Sequence, residues 1–479
     1  MSLCLSTYAQ QQDDVYWAHD LTDFNKKYQS DNNYANMCLG VPSIYPDTNL
    51  YNDFDVYTEG YILHFDNKEK KNYIKVSFPN PVYATQLVIG GVFNSGSISN
   101  IDIFTKENNP KNVYKSDGKK SIVKFRDFNI FFDPVNITSV RIEFDHRFIN
   151  KWNVIKGIGL LASAEKFILH PHELELKNIK KQLVDENINQ SECYQFAPKI
   201  SPDGKTLFFV RDCNESKTGQ DIYYYSLNDE GRWEGPYNIG KPVNNKSHNF
   251  VASVGQNSNF ILLGNQYNAN GEYLDEGVSR SHRTPGGKWG MPENIFIPEY
   301  KNYHDLVNYF MSGDEKTLII AAQDERSLGE LDLYVSMYDA TGKKWSKPVH
   351  MGKDINTPYI EDYPYLASDG QTLYFCSKGH IGYGGYDIFM SKRLDDTWNK
   401  WSPPVNLGPA INSKTDDYGW SISSEGDTGY YSSVSINDTE HSMDLFKVNL
   451  PADLKQNPFN FVKVNVNNSF KKSYQFEVK

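Results

Sequence analysis

The sequence predicts an all-β protein, a β-sandwich of jelly-roll type followed by a β-propeller of five blades, with six left open. Three observations carry that expectation. Tyr and Phe number 33 and 27 against 8 Met, and turn formers punctuate the whole chain, which favours many short strands over helices. Trp233, Trp289, Trp345 and Trp401 stand 56 residues apart, and Asn238, Asn294, His350 and Asn406 keep the same interval, as do Asn244, Tyr300, Asn356 and Asn412. The same phrases recur in the same order around them, and a repeat of about 40 to 60 residues with four short strands is the mark of a propeller.

Five repeats fall between residues 191 and 453. Each opens on a strand and a turn phrase: "SPDGKTLFF" at 201, a degraded "GQNSNFILL" at 255, "SGDEKTLII" at 312, "ASDGQTLYF" at 367 and "SSEGDTGYY" at 423. A closing phrase follows, as in "QDIYYYS" and "YDIFMSK", then the Trp phrase, as in "RWEGPYNIGKPVN". The Ser-Pro-Asp-Gly stretch could be an acidic site or a hairpin turn. The turn explains it: Pro202 fixes φ, Asp203 suits the third position and Gly204 accepts a positive φ. A catalytic Asp would not be copied into most repeats at a turn tip. The last repeat stops without its Trp phrase, and "ELKNIKKQLVDENINQ", within residues 166–190, is placed to supply the missing outer strand and close the ring.

Residues 11–165 lack the repeat and show alternating strands such as "YIKVSF", "ATQLVIGGVF" and "SVRIEFD". Residues 1–10 read as the remnant of a secretory signal with Ala9 as a cleavage position, or as an ordinary N-terminus; "MSLC" lacks the small residue expected before a lipidated Cys. Residues 454–479 start a further β segment or tail. Of the five cysteines, Cys193 and Cys213 flank the first turn symmetrically and would face each other across a hairpin, as a disulfide or as two buried thiols. No Cys-x-x-Cys spacing is present, and His170 with His172 implies no third metal ligand. The net charge of −11 disfavours nucleic acid and anionic membranes as partners, and no apolar run is long enough for a membrane-spanning helix.

The repeat units resemble the TolB-like, WD-like propeller repeats of bacterial envelope proteins. "GHIGYGGYDIFMSKR" followed by "WSPPVNLGPAINS" is similar to the version in OmpA-family proteins of Bacteroidetes. "NNYANMCLGVPSIYPD", "YIKVSFPNPVYATQLVI" and "SVRIEFDHRFINKWNVIKGIGL" resemble a discoidin-like (galactose-binding-like) jelly roll. The resemblance implies export to the periplasm, outer membrane or cell surface. It implies an envelope protein or polysaccharide as partner, no cofactor, and a structural calcium as the one metal that such jelly rolls sometimes hold.

Propellers bind at the mouths of their channel. The residues before each innermost strand are Glu192, His248 with Asn249, His304 with Asp305, Glu361 with Asp362, and Asp416 with Asp417. Together they would make an acidic ring able to hold a cation or a basic peptide end, or they would cap neighbouring strand ends. Tyr16, Trp17, Tyr45, Tyr51 and Trp152 are aromatics that could stack on sugars or serve as packing. No phosphate loop, nucleophile elbow or Ser-His-Asp signature appears. The expectation is a non-enzymatic envelope scaffold making protein or glycan contacts. The alternative is a propeller glycoside hydrolase with a carbohydrate-binding jelly roll, which would need two carboxylates in different environments.

Overall fold

The computed structural model describes residues 15–24, 61–62, 71–94, 98–116, 124–145, 154–164, 173–174, 176, 179–184, 193–213, 219–255, 258–357, 359–436, 441–451 and 454. Among them every regular element is a β-strand. No helix of the described residues is long and apolar enough to cross a membrane.

Five antiparallel sheets follow one another as the repeat demands. The first blade runs Cys193–Ile200, Thr206–Cys213, Asp221–Leu227, Trp233–Asn238, and the second Val251–Val254, Phe260–Tyr267, Tyr273–His282, Glu293–Ile295. In the third, Asn308–Met311, Thr317–Ala322 and Asp332–Asp339 are edged by two short strands, Lys344–Trp345 and Val349–His350. The fourth is Glu361–Leu366, Thr372–Ser377, Asp387–Lys392, Val405–Asn406. The fifth, Asp417–Ile422, Thr428–Ile436 and His441–Asn449, takes its outer strand from Gln182–Leu183, which precedes the first blade in the chain. That exchange ties the two ends of the ring together and covers an edge that would otherwise stay open.

A four-stranded sheet has two apolar faces, and only its neighbours can cover both. Five separate apolar clusters fill the gaps between successive blades. Phe208 and Ile222 of the first meet Ile261 and Leu263 of the second. Leu262 and Val278 meet Leu318 and Ile320 of the third, and Ile319 and Leu333 meet Phe375 and Phe389 of the fourth. Tyr374 and Ile388 meet Trp420 and Tyr431 of the fifth, and Tyr430 and Leu445 return to Leu207 and Phe209 of the first. The repeated tryptophans sit in this packing: Trp345 and Trp401 are buried, and Trp233 and Trp289 pack at the margin of their clusters.

The polar residues of the repeat hold its backbone. Asn244 both accepts from Ile222 N at 3.0 Å and donates to Ile222 O at 3.0 Å; Asn356 does the same with Leu333, and Asn412 with Ile388. Only an amide offers a donor and an acceptor side by side, which explains Asn at this spacing. In the turn, Gly204 N donates to Ser201 O at 2.8 Å, Lys205 N donates to Asp203 Oδ1 at 3.1 Å, and Gly204 has φ +69°. Asp314 and Asp369 accept from their own turns in the same way. A Cβ at Gly204 would meet nothing within 4 Å, so Gly204→Val changes only the backbone preference. It is expected to cost about 1 kcal/mol in urea unfolding; an unchanged midpoint would contradict the turn assignment.

Cys193 and Cys213 are opposite each other in the first hairpin and form a disulfide. Cys376 is buried and free.

In the N-terminal region eight strands join in one sheet, six along one path and two paired off it, built on the long strands Lys71–Asn94 and Lys124–Asp145. Alternate residues such as Ile74, Val76, Val140 and Ile142 turn into one core, as the period of two requires. These pairings link all eight strands and do not separate the two facing sheets of a jelly roll. Val15, Val88, Leu161 and the edge of Trp17 pack on Ile381 of the fourth blade, so the region rests against the propeller.

Candidate functional site

The five innermost strands surround the axis, and each end of the ring makes one mouth. At the mouth where these strands begin, the polar residues serve as caps. Glu361 is fully buried and accepts from Thr357 N at 2.6 Å, Thr357 Oγ1 at 2.7 Å and Ser377 Oγ at 2.7 Å. Burial, reinforced by Asp332, pushes its carboxyl up to about 8 against those donors. Asp417 is equally buried, accepts from Ser413 N at 2.5 Å and faces Lys181 at 3.7 Å; burial raises its pKa too. Asp416 accepts from Tyr386 N at 2.8 Å, across the seam between blades four and five. His304 accepts from Leu306 N at 2.9 Å, and Asp305 and His248 are exposed on separate loops.

The open acidic ring expected here is therefore not formed by Glu361, Asp416 and Asp417. Loop N–H groups at each strand start need an acceptor, and these side chains supply it. Glu192, Trp152, Tyr45 and Tyr51 lie outside the described residues, as do His170 and His172. Trp17 is partly buried, packed against the cluster of Val15 and Ile381 and close to Gly159; Tyr16 is exposed on its strand. Among the described residues no group of three His, Cys, Asp or Glu side chains is placed to hold a metal ion.

The opposite mouth, on the side of the hairpin turns, opens into a cavity of about 740 Å³ lined by residues of all five blades. This size suits a small ligand or a few sugar rings. Its deepest ring is one residue per blade at a single register, the penultimate residue of each innermost strand: Lys199, Ser253, Phe310, Tyr365 and Ser421. The wall above carries Trp398, stacked under Arg393 at 4.3 Å, and the carboxylates Asp314, Asp369 and Asp396. Donors from Gln371 and Thr372 hold Asp369 below the ordinary carboxylate range, against partial burial, and Asp396 pairs with Arg393 at 3.3 Å.

Asp362 is the one described carboxylate of the innermost strands that no strand-start loop uses as its cap. It is 1% exposed and accepts from Asn308 Nδ2 at 2.8 Å, across the seam between blades three and four, and from Tyr363 N at 2.7 Å. Burial pushes its pKa up to about 6; the two donors, Lys199 and His304 pull the other way. Tyr363 has φ +48°, at a bulge that breaks the pairing between Asp362 and Tyr365. Glu361 and Asp362 pair in regular register with Ser377 and Cys376, so strand alternation turns their side chains to opposite faces, and the bulge follows them.

Of these axial residues only Asp362 is among the candidates that the sequence offers. The trace of the others was the position just before each turn, which reads Lys, Ser, Phe, Tyr, Ser through the five repeats and so carries a single charge.

No protein-family model matches the chain, and no curated protein matches it. Solved structures of similar fold include an α-L-arabinofuranosidase from Lactobacillus brevis, at 13% identity and TM-score 0.36, covering 57% of this chain and 98% of that one. A levansucrase from B. megaterium matches at 11% identity and TM-score 0.36, over 59% of this chain and 90% of its own. A xylan β-1,4-xylosidase from Bacillus halodurans matches at 12% identity and TM-score 0.34, over 60% of each. The five-bladed fold itself rests on the order of the sheets. The expectation of a non-enzymatic scaffold is withdrawn here, because these neighbours are mostly glycoside hydrolases and side with the alternative.

Proposed function

We propose that the chain acts on carbohydrate as a glycoside hydrolase, with the axial cavity on the turn side as its substrate site. The observation that carries the reading is that cavity: about 740 Å³, lined by all five blades, with aromatic residues and carboxylates among its lining. Sugar rings need both, an apolar face to stack on and acceptors for their hydroxyls. Hydrolysis needs one carboxyl that holds a proton near neutrality and one that stays ionised. Asp362, which lies behind the lining at Tyr365 and beside Lys199, is the candidate proton donor, and Asp396, the one wall carboxylate outside the repeated turn, is the candidate partner.

The same reading keeps three finer proposals: a TolB-like repeat, a discoidin-like N-terminal region that helps to hold polysaccharide, and a place in the bacterial envelope. The Cys193–Cys213 disulfide supports an oxidising compartment.

The test is release of reducing ends from a panel of plant and bacterial polysaccharides, with Ser253→Trp as a variant that fills the cavity floor. We expect product from the wild type and at least about a hundredfold less from the variant. Product at equal rates would move the site elsewhere, and no product from any glycan would end the hydrolase reading.

A further inference from the structure

The cavity floor is rich in donors. Lys199 is 6% exposed and lines the cavity, and among the described residues its amine has no hydrogen-bond or ion-pair partner. Burial lowers its pKa to about 8, with Cys376 and Asp362 opposing, so it remains mostly protonated at neutral pH. Ser253 and Ser421 share its register, each 3% exposed. Ser253 Oγ accepts from Met311 N at 3.2 Å and Ser421 Oγ accepts from Ile200 N at 3.4 Å. With each oxygen taken by a neighbouring blade, each hydroxyl proton is left to donate. Asp362 supplies the nearest opposite charge through space, with no hydrogen bond between them, so the three N–H donors of the ammonium are left for a ligand.

The rim bears on the kind of anion. Asp314, Asp369 and Asp396 stand above the floor, and only Arg393 stands with them as a cation. A polyanionic chain lying across the mouth would meet those carboxylates. A single carboxylate at the end of a sugar chain would pass them and reach Lys199.

We propose that the cavity floor, Lys199 with Ser253 and Ser421, recognises the carboxylate of a terminal acidic sugar, which makes the substrate a glycan ending in a uronic acid. The inference rests on the carbohydrate reading above and adds to it the class of the terminal residue.

The experiment is calorimetric titration of the full chain with glucuronic acid, glucose and propionate, for the wild type and Lys199→Met, with thermal melts of both. Glucuronic acid is expected to bind at least about tenfold more tightly than glucose, because a hydrogen bond to a charged group is worth that much. Lys199→Met is expected to abolish the difference and to melt no lower than the wild type, since it removes a buried charge. Equal binding of glucose and glucuronic acid would overturn the inference while sparing the carbohydrate reading. Propionate binding as tightly as glucuronic acid would overturn the sugar half and the carbohydrate reading with it. Binding of none of the three would also overturn the inference. A large drop in melting temperature would mean that the amine already has a structural partner, which overturns it as well. If Lys199→Met does not fold, Lys199→Gln takes its place with the same expectations.

Discussion

Trp420→Ala is expected to lower the unfolding free energy by about 3–5 kcal/mol. Trp420 is fully buried in the seam between blades four and five, between Tyr374 at 5.8 Å and Tyr431 at 5.9 Å between ring centroids. Gly429 passes beneath it, and a Cβ there would stand 2.5 Å from the indole. The other four seams each hold or border a tryptophan from the Trp phrase. The fifth repeat has no such phrase, and Trp420 fills the corresponding space from the innermost strand instead. Truncating it removes packing that no neighbouring side chain can recover. Among the described residues its Nε1 has no hydrogen-bond partner, so Trp420→Phe removes an unsatisfied donor along with the volume and is expected to cost less than half as much. Urea midpoints of the two variants check this; equal losses would mean that the indole nitrogen is satisfied and that the seam argument fails.

Asp362→Asn is expected to reduce hydrolysis by about a hundredfold or more, the usual loss when a positioned proton donor is removed. Its pH dependence has a definite sign. Burial raises Asp362 to about 6, so the protonated fraction falls as pH rises through that value. A donor must be protonated, and the rate should therefore decline on the alkaline side with an apparent pKa near 6. The variant should lose that limb along with the rate. Asparagine keeps the volume and can still accept from Asn308 and Tyr363 N, so its melting temperature should change little. A variant with full activity would remove Asp362 from the chemistry, and an inactive variant that is also unfolded would make it a structural residue.

The propeller was legible because its units repeat. Trp at an interval of 56, the turn phrase and the paired Asn are all needed once per blade, and each now has a packing or hydrogen-bonding reason. The same repetition puts carboxylates where no open site lies. Carboxylates recur at the strand starts because each of those loops has N–H groups to satisfy, so Glu361 and Asp417 are repeated for architecture. The cavity lies at the other mouth, where the informative residue, Lys199, is the one that does not recur. Asp362 stands beside Glu361 in the sequence, and alternation along the strand turns it to the other face, where its contact with Asn308 of the neighbouring blade leaves no mark in the spacing. In the N-terminal region the alternation of two announced the segments "YIKVSF" and "ATQLVIGGVF", but not that they join in the one strand Lys71–Asn94, whose pairing with Lys124–Asp145 shifts register three times.

The most direct measurement is a crystal structure of the Asp362→Asn variant soaked with the oligosaccharide that the wild type cleaves fastest. The account predicts a sugar chain entering from the turn side, its end on the floor formed by Lys199, Ser253 and Ser421 and its rings beside Trp398. Sugar bound at the strand-start mouth, or only on the N-terminal sheet, would contradict it.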